Sequence, residues 1–210
     1  MEQIIRDNIS AIFALVGILI GATMSFIGTW TLQNKEAKTR LLEKVLDRRI
    51  QSHENVINVS KLLRVMISLG YDGSDGELAR TPSVMVSQDS LNDFLLKFCQ
   101  TINDSSTWLS TEVTREIYLV QDYLINLNEL LRNVKPEKFP EIGYLIRQDF
   151  IDFSTNIEKM AFNFFTHDLT KMKLNNLTEW HKYPLAITKK RLNETVFFKK
   201  RDEILKIINS

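Results

Sequence analysis

The feature that most constrains this chain is a stretch without charge near its N-terminus. No Asp, Glu, Lys or Arg occurs between Asp7 and Lys35. Residues 9–32 within this stretch are mostly apolar, and as a helix they would be about 36 Å long at about 1.5 Å per residue. The hydrocarbon core of a bilayer is about 30 Å thick, and a helix satisfies all of its own backbone hydrogen bonds in lipid. The sequence therefore predicts one transmembrane helix over 9–32.

A cleaved signal peptide is the alternative interpretation of this stretch. Such a peptide begins with basic residues, has a shorter apolar run and ends at a cleavage site between small residues. Here the first residues include Glu2, Arg6 and Asp7, and the end of the run, from Phe26 to Leu32, offers no clear cleavage site. These differences favour an uncleaved membrane anchor.

Basic residues flank the apolar stretch unequally. Arg6 is the one basic residue on the N-terminal side, whereas the C-terminal side has Lys35, Lys38, Arg40, Lys44, Arg48 and Arg49. Because Lys and Arg near a membrane helix are retained on the cytoplasmic side, we expect residues 1–8 to be extracytoplasmic and residues 33–210 to be cytoplasmic. The low glycine content and the many Asn, Ile, Lys and Phe residues are compatible with a bacterial or phage protein of the inner (plasma) membrane.

Small residues recur on one face of the predicted transmembrane helix. Gly17, Gly21 and Ser25 are spaced by four residues, and Gly28 lies seven residues after Gly21. This spacing lets two helix backbones approach closely in lipid, and it predicts a homo-oligomer. The alternative is that these glycines reflect only the general frequency of glycine in membrane helices.

The remainder of the sequence predicts an all-α fold. Residues 33–69 contain no Gly or Pro and predict a long juxtamembrane helix, either a coiled coil or, as we favour, one wall of a bundle. Residues 70–88 predict a flexible acidic loop that contains glycines. Residues 89–210 predict a bundle of four or five helices that ends in a basic helix. The clearest helical spacing is in the series Val113, Ile117, Val120, Leu124, Leu127 and Leu131.

The sequence contains no pattern typical of an enzyme or a metalloprotein. The histidines His53, His167 and His181 have no partner at the spacing of metal ligands. Cys99 follows Phe98 in an amphipathic stretch and is interpreted as a buried apolar residue. Phosphate-binding glycine loops, nucleophile elbows and kinase signatures are absent from the sequence. We therefore predict no catalytic, cofactor-binding or metal-binding residue.

Charge is distributed unevenly along the sequence. The net charge from Lys, Arg, Asp and Glu is +4 for residues 33–70, −8 for residues 71–168 and +6 for residues 169–210. Three interpretations are open: the charges compensate one another within the fold, a basic surface binds the anionic inner leaflet, or that surface binds nucleic acid. The candidates for an inner-leaflet or partner-binding surface are Lys35, Lys38, Arg40, Lys189, Lys190, Arg191, Lys199, Lys200 and Arg201.

These patterns indicate a place in the membrane more clearly than a biochemical role. We expect a single-pass scaffold, sensor or regulator that self-associates and binds a protein partner at the cytoplasmic face of the bilayer. The first alternative is an oligomerising effector that perturbs the membrane, as in a bacterial defence or toxin system. The second is a membrane-tethered binder of nucleic acid.

Overall fold

The computed structural model describes residues 2–73, 78–168 and 181–210, except for the side chains of residues 2–12 and 168. The protein is mostly helical, which confirms the predicted all-α class. The chain divides into two compact units, one that ends at Asp47 and one from Arg48 to Ser210, and each is described by itself. The parts of the predicted loop and bundle at 74–77 and 169–180 lie outside the described residues.

Helix α1 extends from Glu2 to Lys61. From residue 13 to residue 32 every side chain is exposed, including large apolar ones such as Phe13 and Met24, which are each 72% exposed. Helix α1 is therefore long enough and apolar enough to cross a membrane, and the prediction that 9–32 forms a helix is confirmed.

The threonine hydroxyl groups in this apolar segment bond to their own helix. Thr23 Oγ1 donates to the carbonyl oxygen of Leu19 at 2.6 Å, and Thr29 Oγ1 donates to that of Ser25 at 2.9 Å. A hydroxyl transferred to lipid without a hydrogen bond costs several kcal/mol. These bonds lower that cost because each donor is satisfied without a partner helix.

Two strands follow α1, where the sequence analysis predicted helix and loop. Strand β1 (Met66–Asp72) pairs antiparallel with β2 (Leu78–Pro82), and a 3-10 turn at Leu62–Arg64 separates α1 from β1. The prediction of a continuous helix over 33–69 is therefore wrong after residue 61. The predicted loop over 70–88 instead contains the end of β1 and all of β2.

Helical and strand periodicity both fail to identify β1. Five of its seven residues are exposed, so it lacks the alternation of a half-buried strand. Gly70 has a φ of +77°, and the pairing register shifts between Ser68 and Asp72, as at a bulge. Strand β1 depends on its pairing with β2. In β2 the residue Ala79 is buried, and this strand packs against a helix that is distant in the sequence, Phe139–Asn163.

Three helices build the core of the second unit: α2 (Gln88–Ser105), α3 (Thr111–Leu131) and α4 (Phe139–Asn163). Helix α2 begins where Ser87 Oγ accepts a hydrogen bond from the Ser90 N–H at 3.1 Å, as an N-cap does. All six apolar residues that predicted α3 are buried. The spacing of four and three residues therefore identified the core face of α3 correctly.

Gly143 lets α4 approach the hairpin closely. A Cβ atom at this position would overlap Thr81 Oγ1 on β2 and would lie 2.6 Å from the Cβ atom of Met85. Met85 belongs to a 3-10 turn, Ser83–Met85, that follows β2. Any side chain at residue 143 would push these elements apart, so this contact requires glycine.

The predicted basic C-terminal helix is divided into three short helices: α5 (Leu185–Glu194), α6 (Val196–Lys199) and α7 (Arg201–Asn209). The first break is at Thr195, whose ψ of 156° is extended and whose Oγ1 accepts from the Phe198 N–H at 3.4 Å. A capping residue inside the segment thus begins a new helix. Each short helix buries one apolar side chain in the core, respectively Leu192, Phe197 and Ile204.

Candidate functional site

A buried carboxylate joins α3 to α5. Glu116 is 0% exposed, and its oxygens accept two hydrogen bonds from the Arg191 guanidinium, at 2.6 Å for Nη1–Oε2 and 2.8 Å for Nη2–Oε1. The Tyr183 hydroxyl donates to Oε2 at 3.3 Å. The carboxylate raises the pKa of Arg191 because it stabilises the charged guanidinium. This is a bidentate, charge-assisted pair that fixes α5 against the core.

A second buried carboxylate holds the beginning of α6. Asp149 on α4 is 4% exposed, and it accepts from the backbone N–H groups of Val196 at 2.7 Å and Phe197 at 2.8 Å. The Tyr123 hydroxyl also donates to Asp149, at 2.9 Å. Burial raises the pKa of Asp149 above its ordinary value of 3.8, although these three donors oppose the rise. The carboxylate acts as a structural anchor between α4 and α6.

A buried histidine links α1 to the core. The His53 ring stacks on Phe164 with a centroid separation of 3.7 Å and an interplanar angle of 8°. Its Nδ1 lies 2.7 Å from the carbonyl oxygen of Arg49, and its Nε2 accepts from the Ser110 N–H at 3.2 Å. These bonds fit a neutral imidazole with its proton on Nδ1.

Burial lowers the pKa of His53 from 6.5 to about 4. A folded-state pKa below the unfolded value means that the unfolded chain binds the proton more tightly. The stability contributed by the neutral ring is therefore fully present above pH 6.5, and it is lost as the pH falls through 6.5 towards 4. At neutral pH the stack on Phe164 is intact and uncharged.

Within the described residues no group of three or more His, Cys, Asp or Glu side chains could hold a metal ion. Cys99 is partly buried, and its Sγ accepts from Gln121 Nε2 at 3.5 Å. The buried polar groups of Glu116, Asp149 and His53 are each bonded within the fold. The chemistry that these residues support is cohesion of the second unit.

The candidate basic residues belong to two different units. Lys35, Lys38 and Arg40 are exposed on α1 in the first unit. The exposed members in the second unit are Lys189, Lys190, Lys199, Lys200 and Arg201. Arg191 is the exception, because its guanidinium is bonded to Glu116 and does not belong to the exposed surface predicted from the sequence.

The small residues of α1 form an uncovered surface. Apart from the adjacent residues and the backbone of the neighbouring helical turns, no atom of the described residues lies within 4 Å of the position that a Cβ atom would take at Gly17, Gly21 or Gly28, and Ser25 is exposed. Within the described part of the chain, therefore, no side chain fills the space beside these glycines.

Two exposed apolar residues at the start of α5 were missed by the sequence analysis. Leu185 is 69% exposed and Ile187 is 45% exposed, and because they are two residues apart they lie on different sides of the helix. Leu192 lies seven residues after Leu185, on the same face of the helix, and is buried. The first turn of α5 therefore projects beyond the core. The only local signal is Pro184, which precedes the helix as its N-cap residue.

Comparison with protein-family models, curated proteins and solved structures found no match. The function is therefore inferred from the residues of this chain alone.

Proposed function

We propose that this protein is a single-pass membrane scaffold, sensor or regulator whose second unit lies in the cytoplasm. In this proposal the chain self-associates through its transmembrane helix and binds a protein partner at the membrane face. The observation that carries the proposal is the exposed apolar segment of α1 from residue 13 to residue 32.

The apolar side chains of this exposed segment are unfavourable in water. Burying one Phe, Leu, Ile or Met side chain is worth about 1.5–3 kcal/mol, and Phe13, Met24 and Phe26 are 72%, 72% and 71% exposed. Soluble monomers rarely expose a contiguous apolar patch larger than a few hundred Å². A bilayer covers all sides of such a helix at once, whereas a protein partner would cover one side. The lipid environment is therefore the better match.

The orientation follows from the basic residues that come after the segment. Lys35, Lys38 and Arg40 are exposed on α1, and such residues stay on the cytoplasmic side of a membrane helix. The second unit then lies in the cytoplasm of a cell whose inner membrane holds the helix.

We expect cysteine labelling to reveal this orientation. Two variants are made in a Cys99→Ser background: Gln3→Cys before the span, and Lys190→Cys at an exposed position on α5. A membrane-impermeant maleimide should label Gln3→Cys in intact spheroplasts and should label Lys190→Cys only after lysis. Labelling of Lys190→Cys in intact spheroplasts would reverse the proposed orientation.

Extraction of the tagged chain from its own membranes tests the proposed role. Native mass analysis of a gently solubilised sample should give a homo-oligomer together with a second polypeptide in fixed ratio. That second polypeptide would support a scaffold or regulator, and its identity would indicate the process. A homo-oligomer without a second polypeptide would contradict the partner-binding role and favour the membrane-perturbing effector, which should depolarise cells when its expression is induced.

The same measurement tests the glycine face. Replacing Gly17 and Gly21 with leucine should shift the native mass towards the monomer, because two backbones could no longer approach closely. Ala22→Leu is the control. This substitution also introduces a leucine side chain, but residue 22 lies about 100° round the helix from residue 21. An unchanged oligomer in the double variant, or an equal loss in the control, would exclude this face as the interface.

A further inference from the structure

One edge of strand β1 is open. Among the described residues β1 pairs with β2 and with no other strand. The Ser83 N–H donates to the carbonyl oxygen of Val65 at 2.7 Å, so the backbone groups of Val65 point towards β2. These directions alternate along an antiparallel strand. The N–H and C=O groups of Met66 and Ser68 therefore point away from β2, and they form the open edge.

Two observations support this assignment. Pro82 lies opposite Met66, and a residue without an N–H fits a position at which no hydrogen bond runs to β1. No described residue forms a hydrogen bond with the backbone N–H or C=O of Met66 or Ser68. Ser68 is also exposed, and its hydroxyl accepts from the Gly70 N–H at 3.2 Å within the same strand.

The sequence of β1 does not oppose pairing at this edge. Residues 65–71 contain no charged residue and no proline, which are devices that protect natural edge strands. Gly70, with its φ of +77°, ends the regular part of the edge after Leu69. Val65 and Ile67 are 47% and 44% exposed, and they lie on the same face because they are two residues apart in extended chain. Unpaired backbone groups are thus combined with exposed apolar side chains.

We propose that β1 pairs antiparallel with β1 of a second copy of this chain across a two-fold axis, which gives a four-stranded sheet in the order β2-β1-β1-β2. Unpaired backbone groups select an extended segment as the occupant. A neutral edge offers no ion pair to a charged peptide, whereas a second copy presents the same open edge without charge repulsion. The inference deepens the proposed self-association and rests on it, because two copies anchored in one membrane meet at a raised local concentration.

The directions of the backbone groups fix the register. With the two-fold axis at Ile67, Met66 of each copy lies opposite Ser68 of the other, and each such pair can exchange both of its N–H···O bonds. Ile67 is then opposite its own equivalent, with the two Cα atoms about 4.5 Å apart. Val65 lies opposite Leu69 on the same face. The apolar side chains that are exposed in one chain therefore cover those of the other.

Disulfide crosslinking of the full chain in isolated membranes tests this register. Ile67→Cys in a Cys99→Ser background should form a covalent dimer in a glutathione redox buffer, because disulfides join Cα atoms about 4.4–6.8 Å apart. Val65→Cys is the matched control on the same face, and its Cα atom would be about 14 Å from its equivalent. It should not crosslink alone, but it should crosslink when co-expressed with Leu69→Cys.

A proline variant tests the backbone bonds of the edge. Ser68→Pro removes an N–H that points away from β2, so it leaves the bonds to β2 in place. It should lower the ratio of dimer to monomer for Ile67→Cys by about tenfold or more, because each copy loses a donor. Ser68→Ala removes the hydroxyl but keeps the N–H, and it should leave the ratio unchanged. Equal urea midpoints for these two variants would show that the proline variant is folded, and if it is not, the crosslinks of Val65→Cys with Leu69→Cys decide.

The outcomes separate this pairing from the proposed function. Equal crosslinking of Ile67→Cys and Val65→Cys would indicate random collision and overturn the pairing. Crosslinking of Ile67→Cys to a different polypeptide would assign the edge to a partner strand, and the second copy would be the wrong occupant. A native homo-oligomer without the Ile67→Cys crosslink overturns the pairing and leaves self-association through α1 standing. A crosslink that persists when Gly17 and Gly21 are replaced with leucine supports the pairing even if the glycine face fails.

Discussion

Replacing Arg191 with methionine is expected to lower the free energy of unfolding of the second unit by about 3 kcal/mol. Among the described residues, the substitution leaves the buried Glu116 carboxylate with the Tyr183 hydroxyl as its remaining side-chain donor. Breaking a fully buried ion pair by removing one partner costs about 3–5 kcal/mol. We expect the lower end of this range because the Arg191 side chain is 29% exposed. Urea unfolding of the full chain, with each variant in the same nanodiscs, measures the change.

Two variants test whether the loss comes from the unpaired carboxylate. Lys190→Met makes the same chemical change at the neighbouring, exposed position and should alter stability by less than about 0.5 kcal/mol. The double variant Glu116→Gln with Arg191→Met removes the buried charge together with its partner, so it should recover most of the loss. If Arg191→Met were as stable as Lys190→Met, the ion pair would not hold α5 to α3.

Replacing Asp149 with alanine is expected to cost about 3–5 kcal/mol. It removes the acceptor of three hydrogen bonds and leaves the Val196 N–H, the Phe197 N–H and the Tyr123 hydroxyl without that partner. A hydrogen bond to a charged group contributes about 1.5–3 kcal/mol, and neighbouring bonds of this kind are not additive. The same unfolding measurement should give a loss at least as large as that of Arg191→Met.

Asp152 provides the control on the same helix. It is exposed and accepts from Gln148 at 2.8 Å on the surface, so Asp152→Ala should change stability by less than about 0.5 kcal/mol. Asp149→Asn keeps one carbonyl oxygen as an acceptor and should fall between the wild type and Asp149→Ala. Equal stability of the Asp149→Ala and Asp152→Ala variants would contradict the anchoring role.

The dependence of stability on pH gives a second readout for Asp149. Its pKa is raised above 3.8 in the folded state, so the folded chain binds the proton more tightly than the unfolded chain does. The contribution of this group is then largest below pH 3.8 and decreases as the pH rises through the folded-state pKa. Residue 149 cannot titrate in the Asp149→Asn variant. The free energy of unfolding of the wild type, minus that of the variant, should therefore decrease as the pH rises. A flat difference would show that burial does not raise the pKa.

Both carboxylates act on the same region of the molecule. Glu116 fixes α5 through Arg191, and Asp149 fixes the first turn of α6. Both ends of the segment from α5 to α6 are therefore held to the core by buried contacts.

The sequence by itself determined the elements whose stability is local. Residues 9–32 identify a membrane-length helix because hydropathy and length are properties of one segment. Helix α3 was predicted with its core face because the series from Val113 to Leu131 has a helical period without interruption.

Only the tertiary structure decided the features that depend on distant residues. Strand β1 exists because β2 pairs with it and α4 packs behind β2, while its own sequence has no strand alternation. In the sequence Arg191 resembles a surface cation, but in the structure its guanidinium is directed inward and bonds to Glu116, 75 residues away. Leu185 resembles a core residue until the packing of α5 leaves its first turn outside. The packing of α4 on β2 and the bond of Arg191 to Glu116 join segments far apart in the chain, and a local pattern contains no information about such contacts.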